Sequence, residues 1–438
     1  MPTPARPTTR TAVVGAALLA ATLAAAPAQA ATPTSPATGA TVHVDALRWV
    51  DGQPRLETRT ATGTASAARL VRALDADPAL SDAQVRTTYR MTPTGSAALP
   101  ARRLLATDPY LRYAYHLTAV DAYAAWPTTK GAGVKVAVLD SGVDPTQPDL
   151  VGRVQPLGNF TGESDAIVVD HGTEVATVVA GAYGNAVGAA GVAPEVTVLS
   201  GKVCRKDGCP SDAVVAGITA AVKAGANVVN LSLGGPDYNS TTAATIQWAV
   251  ERGVVVVASA GNSGATGNAV QYPAAYPGVV SVSASTTSGA AAAWAQHNSS
   301  VDLSAPGEAI PVGTPRRSDG SYAVVAASGT SFSAPQVAAA AALLRAVAPT
   351  ADVATVSGWL TGTATEQTWP DGYGAGMLDV AAAVRAARAA APAPAAPPAA
   401  APTSPPTTAP TTAPTSPAPA AVPRARRALR PVPVPTRS

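Results

Sequence analysis

The chain is poor in nearly everything from which a metal centre or an aromatic core is made. Two cysteines, four histidines, three methionines and two phenylalanines are spread over 438 residues, and aromatic residues make up 4%. Two thiols alone form neither a thiolate zinc site nor a disulfide framework. The hydrophobic fraction of 47% is inflated by alanine, since aromatics are so few. Charge is equally sparse, at 13% of residues. Arg424, Arg426, Arg427, Arg430 and Arg437 all lie beyond Ala391 with no acid among them, and removing those five from the net +3 leaves −2 for the rest. No basic face for nucleic acid follows from that balance. Any imidazole chemistry must come from His43, His116, His171 or His297.

Only one long apolar run occurs, from Ala12 to Ala26 behind Arg6 and Arg10, and Ala28-Gln29-Ala30 follows it. The run is short for a bilayer span and has the layout of an export signal. Residues 1–30 are therefore expected to be a signal peptide and the mature protein to be secreted, extracellular or associated with the cell envelope; an uncleaved anchor is the alternative. In an oxidising compartment Cys204 and Cys209, flanking Arg205-Lys206-Asp207-Gly208, are expected to close a local disulfide.

Residues 31–107 read as a small α+β unit: rough alternation over Thr41–Val50 suggests a strand, Leu70, Val71, Leu74 and Leu80 fall at helical spacing, and Ala83–Met91 looks extended. From 108 to 390 the texture changes. VKVAVLD, EVTVLSGKV, ANVVNLSL, GVVVVASA and GVVSVSAS alternate with HGTEVATVVAG, DAVVAGITAAVKAG and TTAATIQWAVERG. Strands apolar on both faces, alternating with helices, predict an α/β domain with a mostly parallel central sheet covered on both sides. Its site is expected beyond the carboxyl ends of the strands. Residues 391–438 are Pro/Ala/Thr repeats ending in arginines, a composition that cannot bury a core.

GTSFSAPQVAAAAALL, from Gly329 to Leu344, brings one hydroxyl, Ser331, to the mouth of a helix too apolar to face water. A helix N-terminus favours negative charge developing beside it, and Pro335 suits an early helical position. A nucleophilic serine needs a base and an orienting carboxylate. His171 opens HGTEVATVVAG at a helix entrance and is the best-placed base. Asp140 ends the apolar run VKVAVLD, followed by a Ser141-Gly142 turn. A nucleotide-binding reading fails because Gly131 and Gly133 precede this strand, whereas a phosphate-cradling loop follows one.

LDSGVD, HGTEVA and GTSFSAP, in that order, with VNLSLGG and ASAGNSG between the last two, resemble the signature blocks of the subtilisin-like serine proteases over about Asp108 to Arg388. The resemblance implies a three-layer α/β fold and a serine-type endopeptidase. In it Asp140 orients His171, His171 activates Ser331, and Asn262 with the Ser331 N–H stabilises the oxyanion. It further implies substrate-backbone segments at Ser232-Leu233-Gly234 and Ser259-Ala260-Gly261, Gln271 near the first specificity pocket, and a cis bond before Pro273. No cofactor is needed for catalysis; a structural calcium is the one ion implied, through Asp149 and Asn185. The expected partners are protein or peptide substrates and the chain's own propeptide (31–107) as inhibitor, processed between Leu99 and Asp108, with envelope association through the tail. The sequence departs from the family pattern at Phe332, Ser333 and Glu174. The short disulfide loop and Pro-rich tail are similar to the mycosin-like branch. The competing reading is a catalytically silent envelope-binding protein on the same fold.

Overall fold

The computed structural model describes residues 40–91, 95–99, 108–166 and 169–391. The predicted signal peptide and tail, and most of the segment in which processing is expected, lie outside them. In the leading unit β1 (Thr41–Val50) pairs antiparallel with β2 (Gln53–Thr62), α1 (Thr64–Asp75) follows, and β3 (Ser81–Val85) returns to the other edge of β1. Val42, Val44 and Ala46 of β1 pack on Ala67 and Leu74 of α1, while Leu80, read at helical spacing, lies beyond the end of that helix. Two short strands come next, β4 (Thr88–Tyr89) and β5 (Gly95–Ala98), and neither belongs to that sheet.

The larger region runs α2 (Tyr115–Ala119), α3 (Ala122–Ala125), β6 (Lys135–Asp140), β7 (Val154–Asn159), α4 (His171–Ala180), β8 (Thr197–Lys202), β9 (Cys209–Pro210), α5 (Ser211–Lys223), β10 (Val228–Leu231), α6 (Ser240–Glu251), β11 (Val255–Ser259), β12 (Val279–Ser285), β13 (Leu303–Pro306), β14 (Ile310–Gly313), β15 (Val324–Ser328), α7 (Thr330–Val347), α8 (Val353–Gly362) and α9 (Val380–Ala390). Seven strands form one parallel sheet in the order β13-β12-β11-β10-β6-β8-β7. The five strands read from the sequence are all present. The two that escaped it, β7 and β13, are the edges; each contains a proline, which an edge tolerates because one side of it needs no ladder bond.

Helices cover both faces. One layer holds α4, α7, α8 and α9 in a continuous apolar cluster with the sheet, and the other holds α5 and α6. Helix α7 explains its own composition: every residue from Thr330 to Arg345 is buried, so a helix apolar all round is what this position demands. Its run of alanines lets it lie close beneath the sheet.

Candidate active site

Asp140 is the last residue of the central strand β6 and His171 the first of α4. What joins them is a close approach of backbones. A Cβ on Gly172 would overlap the Gly142 carbonyl and stand 3.1 Å from Gly142 N, so only glycine lets α4 begin against the turn after Asp140. Ser141 fastens the contact: its Oγ donates to Val169 O at 2.9 Å and accepts from Gly172 N at 3.0 Å. His171 Nδ1 consequently donates to the Asp140 carboxylate, 2.9 Å from Oδ1 and 3.0 Å from Oδ2. Asp140 Oδ1 also accepts from Ser141 N at 2.7 Å.

Both side chains are buried. Burial by itself pushes the imidazole pKa down, but the charge and hydrogen bond of Asp140, with a smaller contribution from Glu174, outweigh it and hold His171 above its ordinary value. Because the carboxylate fixes the proton on Nδ1, Nε2 is the lone-pair nitrogen. It is buried and has no hydrogen-bond partner among the described residues. Glu174, one turn along, is pushed up to about 7, chiefly by burial.

Ser331 is the second residue of α7. Gly329, the residue before the helix, has φ 144°, a conformation that admits glycine and few others. The Phe332 ring lies 5.7 Å from the imidazole, so the first turn of α7 packs against His171. The Ser331 hydroxyl does not bond to His171 here; it donates to Ser232 O at a long 3.4 Å. Asn262 is oriented by the same turn: its Oδ1 accepts from Thr330 N at 2.9 Å and Thr330 Oγ1 at 2.8 Å, which makes Nδ2 the donating end of the amide.

All four residues lie within the stretch that a family model matches. The subtilase family model aligns with residues 131–376, over half of the 438. This chain belongs to the subtilase family. It is 37% identical over 261 residues to subtilisin E of Bacillus subtilis (strain 168), a match spanning 58% of this chain and 66%, just under two thirds, of that protein. It is 36% identical to subtilisin of Bacillus pumilus, with 92% of that protein covered, and 36% identical over 242 residues to thermitase of Thermoactinomyces vulgaris, with 54% and 84% covered. Among solved structures, a protease of Pseudoalteromonas arctica PAMC 21717 superposes with a TM-score of 0.59 at 29% identity, over 65% of this chain and all of that one. These likenesses fix the family and do not reach the mycosin-like branch.

The subtilase segments expected to hold substrate lie around Ser331. Gly234 exchanges two backbone hydrogen bonds with Arg90, at 2.8 and 2.9 Å. Ser259 closes β11, Ala260 N donates to Val282 O, and Gly261 N donates to Thr330 Oγ1. Leu233 is buried, and Ser232 Oγ takes Asn230 Nδ2 at 2.9 Å while donating to Ser331 O. A Cβ on Gly234 would stand 3.8 Å from Gln271 Cβ and one on Gly261 2.9 Å from Gln271 Cγ, so Gln271 lies between the two segments. The Tyr272–Pro273 bond is cis. Cys204 and Cys209 form the expected disulfide, and Cys209 belongs to β9, which pairs with β4.

Farther off, Asp149 Oδ1 accepts from Asn185 Nδ2 at 3.0 Å and Oδ2 from Ala189 N at 3.1 Å. Asp108, which sequence reading did not single out, accepts from Gly184 N and Ala186 N in the same loop. Burial, and then the charge of Asp108, push Asp149 up to about 7. Among the described residues no group of three or more His, Cys, Asp or Glu converges. An oxygen cage here would draw on these two carboxylates, the Asn185 amide and loop carbonyls, a hard donor set suited to calcium.

Proposed function

We propose that this subtilase is a secreted serine endopeptidase, made as a zymogen, that hydrolyses peptide bonds through Asp140, His171 and Ser331. The observation that carries the reading is the imidazole gripped at Nδ1 by a buried carboxylate while its buried Nε2, without a partner among the described residues, stands beside the turn bearing Ser331. In the first step Ser331 Oγ leaves its long contact with Ser232, passes its proton to His171 Nε2 and bonds to the substrate carbonyl carbon. The Asp140 carboxylate stabilises the imidazolium without taking its proton. The oxyanion is met by Asn262 Nδ2 and the Ser331 backbone N–H, aided by the N-terminal end of α7. Collapse breaks the C–N bond, and His171 returns the proton to the leaving amine. Water then repeats the sequence on the acyl-enzyme and frees Ser331.

The zymogen reading is supported by the fit of the leading unit. Gln84 bonds both Tyr238 O and Ser240 N at the start of α6, Arg86 bridges Asp45 and Asp212 at the start of α5, and Trp248 and Arg252 both donate to Gly52 O. Asp108, Asp149 and Asn185 are proposed to hold a calcium ion that braces the loop and takes no part in the chemistry. Secretion rests on the sequence of residues 1–30, and envelope association on residues 391–438.

A fluorophosphonate probe tests the reading. Ser331 is expected to be labelled, and His171→Ala and Ser331→Ala to abolish labelling. An unlabelled, folded wild-type protein would instead favour a silent binding protein.

A further inference from the structure

β9 is an edge with a single neighbour. Its two residues pair antiparallel with β4, Thr88 opposite Pro210 and Tyr89 opposite Cys209, and among the described residues no other strand joins that sheet. Pro210 has no N–H to add to a ladder. β4 lies in the leading segment, so the event that would free the catalytic region also strips β9 of its whole ladder. On its carboxyl side Pro210 runs straight into α5. On its amino side the chain returns through Arg205–Gly208, where Lys206 and Asp207 are exposed. An edge left like this has to be held in strand geometry by something other than pairing.

The disulfide meets that need. After β8 the chain turns over the end of β6, where Val203 N and Cys204 N both donate to Asp140 O, at 2.8 and 3.0 Å. Arg205 and Gly208 close the next turn on each other, with backbone bonds of 2.8 and 3.3 Å. Cys204 is then joined to Cys209, and both are completely buried. The bond therefore ties β9 to the strand end that carries Asp140. The turn it closes touches the paired strand as well: a Cβ on Gly208 would stand 2.5 Å from Thr88 Cγ2 and 2.7 Å from Tyr89 O.

We infer that the Cys204–Cys209 disulfide is a positioning element for substrate: it keeps β9 ordered while unpaired, so that the mature enzyme adds an extended polypeptide to this edge without first having to build it. The inference rests on the protease and zymogen readings. It names the substrates the bond serves, which are chains long enough to lie along β9 as β4 does, and not short esters that meet only the residues of the reaction. Without the bond, β9 is ordered at the moment of binding. Fixing the backbone of one residue then corresponds to about a tenfold loss of affinity. The loss falls on KM, because the hydrogen bonds of Asp140 with His171, Val203 and Cys204 do not involve the sulfurs.

The test compares mature wild type with the double variant Cys204→Ala/Cys209→Ala on a long internally quenched peptide and on a single-residue ester. For the peptide, KM is expected to rise about tenfold with kcat unchanged, while kcat/KM for the ester keeps its wild-type value. The peptide/ester ratio is internal to each preparation, so a smaller folded fraction does not move it. Should the variant fail to fold, wild type matured with the bond intact and then reduced with dithiothreitol gives the same comparison. A ratio unchanged by loss of the bond overturns the inference, and so does a defect confined to kcat or shared equally by the ester. Fluorophosphonate labelling and the N-terminal sequence of the same preparations separate the levels. Labelled enzyme that has shed its leading unit and keeps its ratio sinks only this inference. Unlabelled wild type sinks the protease reading, and active enzyme that still begins in the leading unit sinks the zymogen reading.

Discussion

Ser232 and Ser331 hold each other in both directions: Ser232 Oγ donates to the Ser331 carbonyl at 2.9 Å, and the Ser331 hydroxyl donates to the Ser232 carbonyl at 3.4 Å. The shorter bond fixes the first turn of α7, and the longer one is easily given up when the hydroxyl turns to a base. Ser232→Ala removes the first and leaves the second. Losing one buried neutral hydrogen bond costs about 1 kcal/mol, so the rate of fluorophosphonate labelling should fall roughly fivefold while Ser331 remains the residue labelled. An unchanged rate would mean that the clamp has no part in presenting the serine.

Gly172→Ala puts a methyl group into the Gly142 backbone and within 3.2 Å of Asp140 Cβ. Overpacking of this kind costs about 1–3 kcal/mol, and relief can only come from α4 retreating with His171. Activity should drop by at least tenfold more than the melting temperature alone would explain. A variant with wild-type kcat/KM would show that the approach of α4 to β6 does not set the His171–Asp140 distance.

The pH profile follows from the raised His171. Catalysis needs the neutral ring, so kcat/KM should rise with pH on an acid limb centred above 6.5. Asp140→Asn removes the charge that opposes burial; the limb should then move below 6.5 while the plateau falls about 10⁴-fold, as when other serine proteases lose this carboxylate. A limb that moved upward would contradict the assignment of Asp140 as the group that raises His171.

His116 is shifted in the opposite direction to His171. It is fully buried in α2, neither ring nitrogen has a partner among the described residues, and burial lowers it to about 3. The unfolded chain binds a proton near 6.5 that the folded one refuses, so stability present above pH 6.5 is lost as pH falls from there toward 3, at up to about 1.4 kcal/mol per pH unit. His116→Leu should flatten the fall of melting temperature between pH 6 and 4. Parallel curves for variant and wild type would dispose of this account.

Chelation probes the Asp108–Asp149 loop. Removal of calcium should lower the melting temperature and leave the labelling rate of the surviving folded enzyme unchanged, since the loop does not touch the serine. Asp149→Asn should abolish the response to calcium. A melting temperature indifferent to chelator in the wild type removes calcium from the description.

Much of this was legible in the residues themselves. Val-rich runs ending in Asp140, Leu231 and Ser259 announce buried parallel strands because both faces are covered, and Gly329, Pro335 and the alanines after them announce a helix that water never meets. β7 and β13 stayed hidden because prolines in VQPLGN and LSAP look like loop, and only their places at the sheet edges make them strands. Asp108 gave no sign of its role, since what matters is the loop folding over it from 76 residues away.

The identities and chain order of Asp140, His171, Ser331 and Asn262 were determined by the sequence, and the first three sit at element boundaries that local residues dictate. Tertiary structure alone decided that the Ser331 hydroxyl rests on Ser232, that Thr330 turns the Asn262 amide, and that Tyr89 fills a pocket floored by Tyr276. The physical reason is that backbone pairing carries no side-chain signature. Which strand lies between β9 and the Ser232–Gly234 segment is fixed only once distant segments have met.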